Sequence, residues 1–165
     1  MSLQPIVRRT WSRVGQTPLI KHWHRGEKLS MLSVLAVTPQ RRRLALSWDI
    51  QTDAYKTWDF VRLVRGLQRQ IGRPVLLIWD RLPGHRAAAR FLQCKKITVE
   101  YLPAYAPELN PVEWVWSQAK HAELANWVPD DTEELEEKLH DTLAEFNQEQ
   151  KLLRSFFAGA DLGLE

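Results

Sequence analysis

The spacing of apolar residues changes period along the chain. Residues 1–28 show almost no period, are broken by Pro5, Gly15, Pro18 and Gly26, and read as an irregular or hairpin segment. Met31 to Thr38 and Leu44 to Ile50 are apolar-rich runs joined through Pro39, Gln40, Arg41, Arg42 and Arg43, a pattern that predicts a β-hairpin with a cationic turn. From Asp53 the spacing lengthens to about 3.6 residues, the period of a helix. Phe60, Val64, Leu67 and Ile71 then share one face, Arg62, Arg65 and Arg69 lie opposite, and Gly72 ahead of Pro74 supplies the stop. Such an arginine stripe is first a solvated face and only second a DNA contact.

Val75 to Trp79 is wholly apolar, which predicts a short strand covered on both faces and ending on Asp80. A turn at Leu82-Pro83-Gly84, a helix from about His85 to Cys94 and a strand from Ile97 to Leu102 complete a βαβ unit, whose strands should be parallel neighbours. Beyond Pro103 a turn-rich stretch leads to a helix starting at Pro111. A second, acidic helix runs from about Asp131 past Phe146, with Leu135, Leu139, Leu143 and Phe146 as its apolar stripe. No internal repeat, low-complexity tract or linker interrupts the chain.

Composition narrows the class. A length of 165 residues suits one domain with a real core. Hydrophobic residues make up 44% and charged residues 26%, and no apolar run approaches the ~18 residues of a membrane span. No basic lead with an apolar core marks the N-terminus and Cys94 is the single cysteine, so the expected compartment is the cytoplasm. The net charge of +3 conceals a division: residues 1–100 carry 19 Lys/Arg against 6 Asp/Glu, residues 101–165 carry 4 against 14. Fourteen of those 19 cations are arginine, whose planar fork matches phosphate oxygens, so a polyanionic partner competes with a merely arginine-rich composition.

Two carboxylates are candidates for chemistry. Ligands of open α/β sheets bind outside the carboxyl ends of the strands, where Asp80 emerges. Asn110 is a good N-cap, Pro111 suits the first helical position and Glu113 falls at the third, so both carboxylates are expected to converge at one sheet edge. Each has a plainer use as well. Asn110 with Glu113 approximates a capping box, and Asp80 ahead of Leu-Pro-Gly is a turn former. Spacing alone leaves both uses open.

Resemblance adds a further argument. Trp79-Asp80-Arg81-Leu82-Pro83-Gly84-His85-Arg86-Ala87, followed after one βα unit by Tyr101-Leu102-Pro103-Ala104-Tyr105-Ala106-Pro107-Glu108-Leu109-Asn110-Pro111-Val112-Glu113-Trp114-Val115-Trp116, resembles the DDE transposases of the IS630/Tc1/mariner superfamily. Arg9-Thr10-Trp11-Ser12-Arg13-Val14-Gly15-Gln16-Thr17-Pro18 is similar to the segment after the first catalytic strand in the bacterial branch. The resemblance spans essentially the whole chain and implies an α/β, RNase H-like fold, a mixed sheet flanked by helices. It implies one catalytic domain over 1–165, with 29–165 as the remaining core and no helix-turn-helix domain. Asp80 matches the second acidic residue of the triad and Glu113 the third, both implied to be catalytic and ligands of Mg²⁺, with Mn²⁺ as a substitute.

The implied reaction is Mg²⁺-dependent phosphodiester hydrolysis and strand transfer of an insertion-sequence element. Its implied partners are double-stranded DNA, as transposon ends and target, and a second copy in synapsis, with no membrane. The implied location is the cytoplasm, at the nucleoid when bound to DNA. Arg86, Lys120 and His85 are the candidate DNA contacts, although His85 also suits a helix cap and Lys120 a solvated position. Trp114, Trp116 and Trp127 are read as packing groups, and Cys94 as an inert residue within a helix.

The chain departs from the pattern at the first acidic residue. Ser2 to Trp11 aligns just after the strand that carries it in relatives, so that Asp and its central strand are expected a few positions before Met1, and neither Asp49 nor Asp53 matches the motif. Residues 1–165 alone are therefore expected to turn over little or not at all. The alternative function is a non-catalytic nucleic-acid-binding transposase remnant. A ribonuclease H-type nuclease is disfavoured by the Pro-Glu-Leu-Asn-Pro-Val-Glu string.

Overall fold

The computed structural model describes residues 6–17, 19–20 and 28–164. In chain order the elements are β1 (Ser30–Val37), β2 (Leu44–Gln51), α1 (Thr57–Ile71), β3 (Val75–Trp79), α2 (Pro83–Leu92), β4 (Ile97–Tyr101), α3 (Pro111–Gln118), α4 (Thr132–Gln148) and α5 (Gln150–Gly159). A 3-10 turn, Pro107–Leu109, precedes α3, and a π-helical turn, Ala119–Glu123, follows it. They fall into two compact units, one of Met1–Asp53 with Pro111–Glu165 and one of Ala54–Asn110.

In the first unit, β1 and β2 pair antiparallel from Ser30↔Gln51 to Val37↔Leu44. Alternation puts Met31, Leu35, Val37, Leu44, Leu46 and Trp48 on the face that packs against Val115, Leu143, Phe146, Leu153, Phe156 and Phe157. Leu135 and Leu139 extend the apolar stripe of α4 into a second cluster with Leu29 and Leu124, as the 3.6 period predicts. Leu135, Leu139, Leu143 and Leu153 are at most 2% exposed, and burial of each is worth about 1.5–3 kcal/mol.

Asp131 caps α4 by accepting the Glu134 N–H at 2.8 Å, and Glu133 and Glu134 face the positive end of the helix dipole. Near the chain's start Ile6 bridges Ala125, and Asn126, at φ 60°, donates its N–H to the Ile6 carbonyl and accepts the Arg8 N–H. The described part of residues 1–28 holds no helix or extended strand, in line with its reading as irregular.

The outer edge of β2 is covered by side chains. Leu44 and Leu46 direct their N–H groups away from β1, to Gln150 Oε1 at 2.9 Å and Asn147 Oδ1 at 2.8 Å, and Gln150 Nε2 donates back to the Leu44 carbonyl at 2.8 Å. Two amides at the junction of α4 and α5 thus occupy backbone groups that another strand would seek.

In the second unit, β3 and β4 are parallel neighbours, Val75 opposite Ile97 and Trp79 opposite Tyr101, as the βαβ pattern predicts. Helices α1 and α2 supply Val61, Val64, Ala88 and Leu92 to a core closed by Trp79 and Ile97. Gly72 ends α1 at φ 68°, the left-handed conformation that glycine adopts without a Cβ clash. The expectation that β3 is covered on both faces does not hold. Val75, Leu77 and Trp79 turn to the core, whereas Leu76 and Ile78 are 60% and 55% exposed, because α1 and α2 pack on the opposite face. Helix α2 stops at Leu92, so Cys94 lies outside it and is exposed, its backbone closing a turn with Ile97.

Candidate active site

Asp80 is the residue after β3, and the backbone there is fixed by a donation from Leu102 N–H to the Trp79 carbonyl at 2.9 Å. Its Oδ1 accepts the Leu82 N–H at 3.0 Å, which makes the local turn the sequence suggests. The same oxygen lies 2.6 Å from Nδ1 of His85. Since Oδ1 is an acceptor, Nδ1 carries the proton and donates it. Oδ2 has no partner among the described residues, and the side chain is 40% exposed. One oxygen is therefore fixed from within and the other is free toward solvent.

His85 is built for that contact. It stands in the first turn of α2, whose start is set by Pro83 at a position where a missing N–H costs nothing. The ring stacks on Trp79, with centroids 4.5 Å apart and planes 3° apart, and meets Phe60 edge-on at 4.6 Å. Gly84 lets α2 approach this closely, because a Cβ there meets the Phe60 ring at 2.9 Å. With only 11% of its side chain exposed, His85 faces Asp80, Trp79 and Phe60, and it caps no helix.

Glu113 stands in the first turn of α3, in the other unit, and is exposed. Its carboxylate has no hydrogen bond or ion pair among the described residues. The capping-box use is unfilled, because the Asn110 N–H that the carboxylate would accept donates to the Pro107 carbonyl at 2.9 Å. Lys120 is half-buried in the π-helical turn, where Leu124 N–H reaches back to Ala119, so the helical register set by Glu113 is not continued regularly to it. Trp114, 42% exposed, packs on Gly159, while Trp116 and Trp127 pack against the clusters of the first unit, in keeping with their reading as packing groups.

Arg86 is exposed and lines a cleft of about 400 Å³ with Arg81, Arg90 and Tyr101. Sequence reasoning singled out Arg86 alone. The four-residue step to Arg90 was visible in the sequence, but the placement of Tyr101 opposite Trp79 and beside Arg81 depends on the β3–β4 register.

Among the described residues no three His, Cys, Asp or Glu side chains gather closely enough to enclose a metal ion. The free oxygens of Asp80 and Glu113 are nonetheless the hard donors that a Mg²⁺-sized cation takes. No described helix is long and apolar enough to cross a membrane.

The class of protein follows from fold and comparison together. The fold is α/β and RNase H-like: 95% of the chain matches 46% of a chain in the crystal structure of the Mos1 strand transfer complex, with a TM-score of 0.61 and 18% identity. The chain thus spans less than half the length of that protein. The family model described as DDE superfamily endonuclease matches residues 1–136, and the chain belongs to that family. Divalent metal ions are typical of it. Comparison with the curated proteins gives no significant match.

Proposed function

We propose that this protein is the catalytic part of a DDE transposase of the IS630/Tc1/mariner type, acting on double-stranded DNA. The observation that carries the reading is Asp80: a carboxylate at the end of a parallel strand, with one oxygen fixed by His85 and Leu82 and the other unpartnered. This carboxylate is oriented through one oxygen, and the other is left open for a further partner. Family membership and the likeness of the fold to a chain of a strand transfer complex support the same reading.

Asp80 and Glu113 are assigned as two of the carboxylates that hold divalent cations, Mg²⁺ by preference and Mn²⁺ as a substitute. When bound, such ions supply Lewis-acid stabilisation of the entering and leaving oxygens at phosphorus. His85 keeps Asp80 in one rotamer, so the carboxylate arrives at its ligand already oriented. The cationic residues of the first hundred positions reduce the repulsion between a polyanion and the two carboxylates. Arg86 and Lys120 are assigned to the DNA backbone, His85 to positioning, and a second copy to synapsis.

The test is binding of Mn²⁺ by the 165-residue chain, read by electron paramagnetic resonance, alongside binding and nicking of a supercoiled plasmid. The expected result is duplex binding, Mn²⁺ uptake weakened at least about tenfold by Asp80→Asn and by Glu113→Gln, and only trace nicking without a third carboxylate. Mn²⁺ uptake equal in wild type and both variants overturns the assignment. DNA binding indifferent to both Mg²⁺ and Glu113→Gln points instead to a non-catalytic DNA-binding protein.

A further inference from the structure

The cleft of about 400 Å³ in the second unit has three arginines and a tyrosine on its walls and, among the described residues, no acidic one. Each wall has a local cause. Arg81 follows Asp80 directly, donates Nε–H to the Leu102 carbonyl at 3.3 Å and holds its guanidinium 5.8 Å from the centre of the Tyr101 ring. Tyr101 is the last residue of β4, opposite Trp79. Arg86 and Arg90 lie four residues apart on α2, hence on one face and about 6 Å apart along the axis.

Some arginines of the structure have side-chain partners and others, such as Arg69 and Arg73, have none among the described residues; what sets Arg81, Arg86 and Arg90 apart is that they line one space. Arg62 pairs with Asp59, Arg65 donates to the Phe91 carbonyl, and Arg154 donates to the carbonyls of Arg41, Arg42 and Leu164. Arg86 and Arg90 have no hydrogen-bond or ion-pair partner among the described residues, and the one hydrogen bond of Arg81 leaves its two terminal nitrogens unused. Three like charges around one space repel each other, and their planar forks match phosphate oxygens. The arrangement is completed by an anion with several acceptors.

We infer that this cleft binds the phosphodiester backbone of duplex DNA, gripping the strand beside the phosphate presented to Asp80. The inference rests on the transposase reading and adds Arg81, Arg90 and Tyr101 to it. Adjacency supports it: Arg81 is the next residue after Asp80, and His85 and Arg86 are consecutive on α2, one turned in to Asp80 and the other, about 100° around the helix, lining the cleft. The spread from the strand end along one full turn of α2 suits a run of phosphates better than a single small anion. Tyr101 keeps the Arg81 guanidinium in place when the cleft is empty.

The test is metal-free binding of a fluorescent duplex by the full 165-residue chain over a series of salt concentrations. Loss of two phosphate contacts in Arg86→Ala/Arg90→Ala should lower the slope of log affinity against log salt by about 1.8 and weaken binding about tenfold at moderate salt. Arg81→Ala should lower the slope by about 0.9. Arg62→Ala removes an equal charge already paired with Asp59 and should change the slope little. Melting curves for the Arg86/Arg90 variant should match wild type, since both side chains are exposed and without partners among the described residues, and Arg62→Ala and Arg81→Ala should cost no more than about 1 kcal/mol for the surface contacts they lose.

A double variant with wild-type slope and affinity overturns the cleft and leaves the transposase reading standing. Failure of the wild-type chain to bind duplex DNA overturns both. Tighter binding of RNA of the same sequence overturns DNA as the ligand.

Discussion

His85 Nδ1 donates to Asp80 Oδ1 at 2.6 Å, across a single turn that joins the end of β3 to the first turn of α2. That hydrogen bond ties the candidate metal ligand to the packing of the second unit, because the imidazole is also stacked on Trp79 and edged by Phe60. Orientation of the carboxylate and integrity of this corner are therefore coupled.

His85→Ala removes a charge-assisted hydrogen bond and two ring contacts, and is expected to cost about 2–4 kcal/mol in urea unfolding. Its effect on Mn²⁺ affinity should persist at low temperature and without denaturant, where the chain is fully folded. A variant with unchanged stability and unchanged Mn²⁺ affinity refutes the positioning role.

Asp80 can be separated from its fold by isosteric replacement. Asp80→Asn keeps an oxygen for the Leu82 N–H and is expected to cost at most about 1 kcal/mol, whereas Asp80→Ala leaves that donor and the buried His85 unpaired and should cost about 1–3 kcal/mol. Chemical denaturation of both variants measures the difference, and equal losses would contradict the geometry described.

Glu113 has no such structural task. Exposed and without a partner among the described residues, it is expected to change stability by no more than about 0.5 kcal/mol on replacement by Gln. A clear loss of melting temperature in Glu113→Ala, which removes the acceptor that Gln would keep, would restore the capping use.

Close packing in the first unit predicts a paired effect. A Cβ on Gly159 meets the Trp114 indole at 2.8 Å, so Gly159→Ala should destabilise by about 1–3 kcal/mol. Trp114→Ala removes the obstacle, and the double variant should be more stable than the sum of the two singles, which a double-mutant cycle reads directly.

Asn147→Ala strips the acceptor from the Leu46 N–H on the outer edge of β2, at a cost of about 1–3 kcal/mol. Light scattering should also show more self-association, because an uncovered strand edge is open to pairing. Unchanged stability and scattering would show that the edge needs no cover.

Much of this was legible in local pattern. The turn from Thr38 to Arg43, the stop at Gly72, the parallel pairing of Val75–Trp79 with Ile97–Tyr101 and the buried stripe of α4 all follow from rules that operate over a few residues. Asp80 and Glu113 were found the same way, from a strand end and a helix start. The strand–helix–strand order and the Pro-Glu-Leu-Asn-Pro-Val-Glu string indicated the family that the comparison confirms.

What the tertiary structure decided has no local signal. Gln148-Glu149-Gln150 contains neither Gly nor Pro, yet the helix breaks at Glu149 (φ −98°, ψ 92°), with Asn147 and Gln150 bonded to the backbone of β2, more than a hundred residues earlier in the chain. The exposure of Leu76 and Ile78, the inward turn of His85 and the opposition of Tyr101 to Arg81 likewise depend on which faces meet. Sequence by itself determined most of the elements, the candidate carboxylates and the family, since these rest on periodicity and motif. Only the folded chain decided which oxygen of Asp80 is held and which is free, because that depends on atoms brought together by packing.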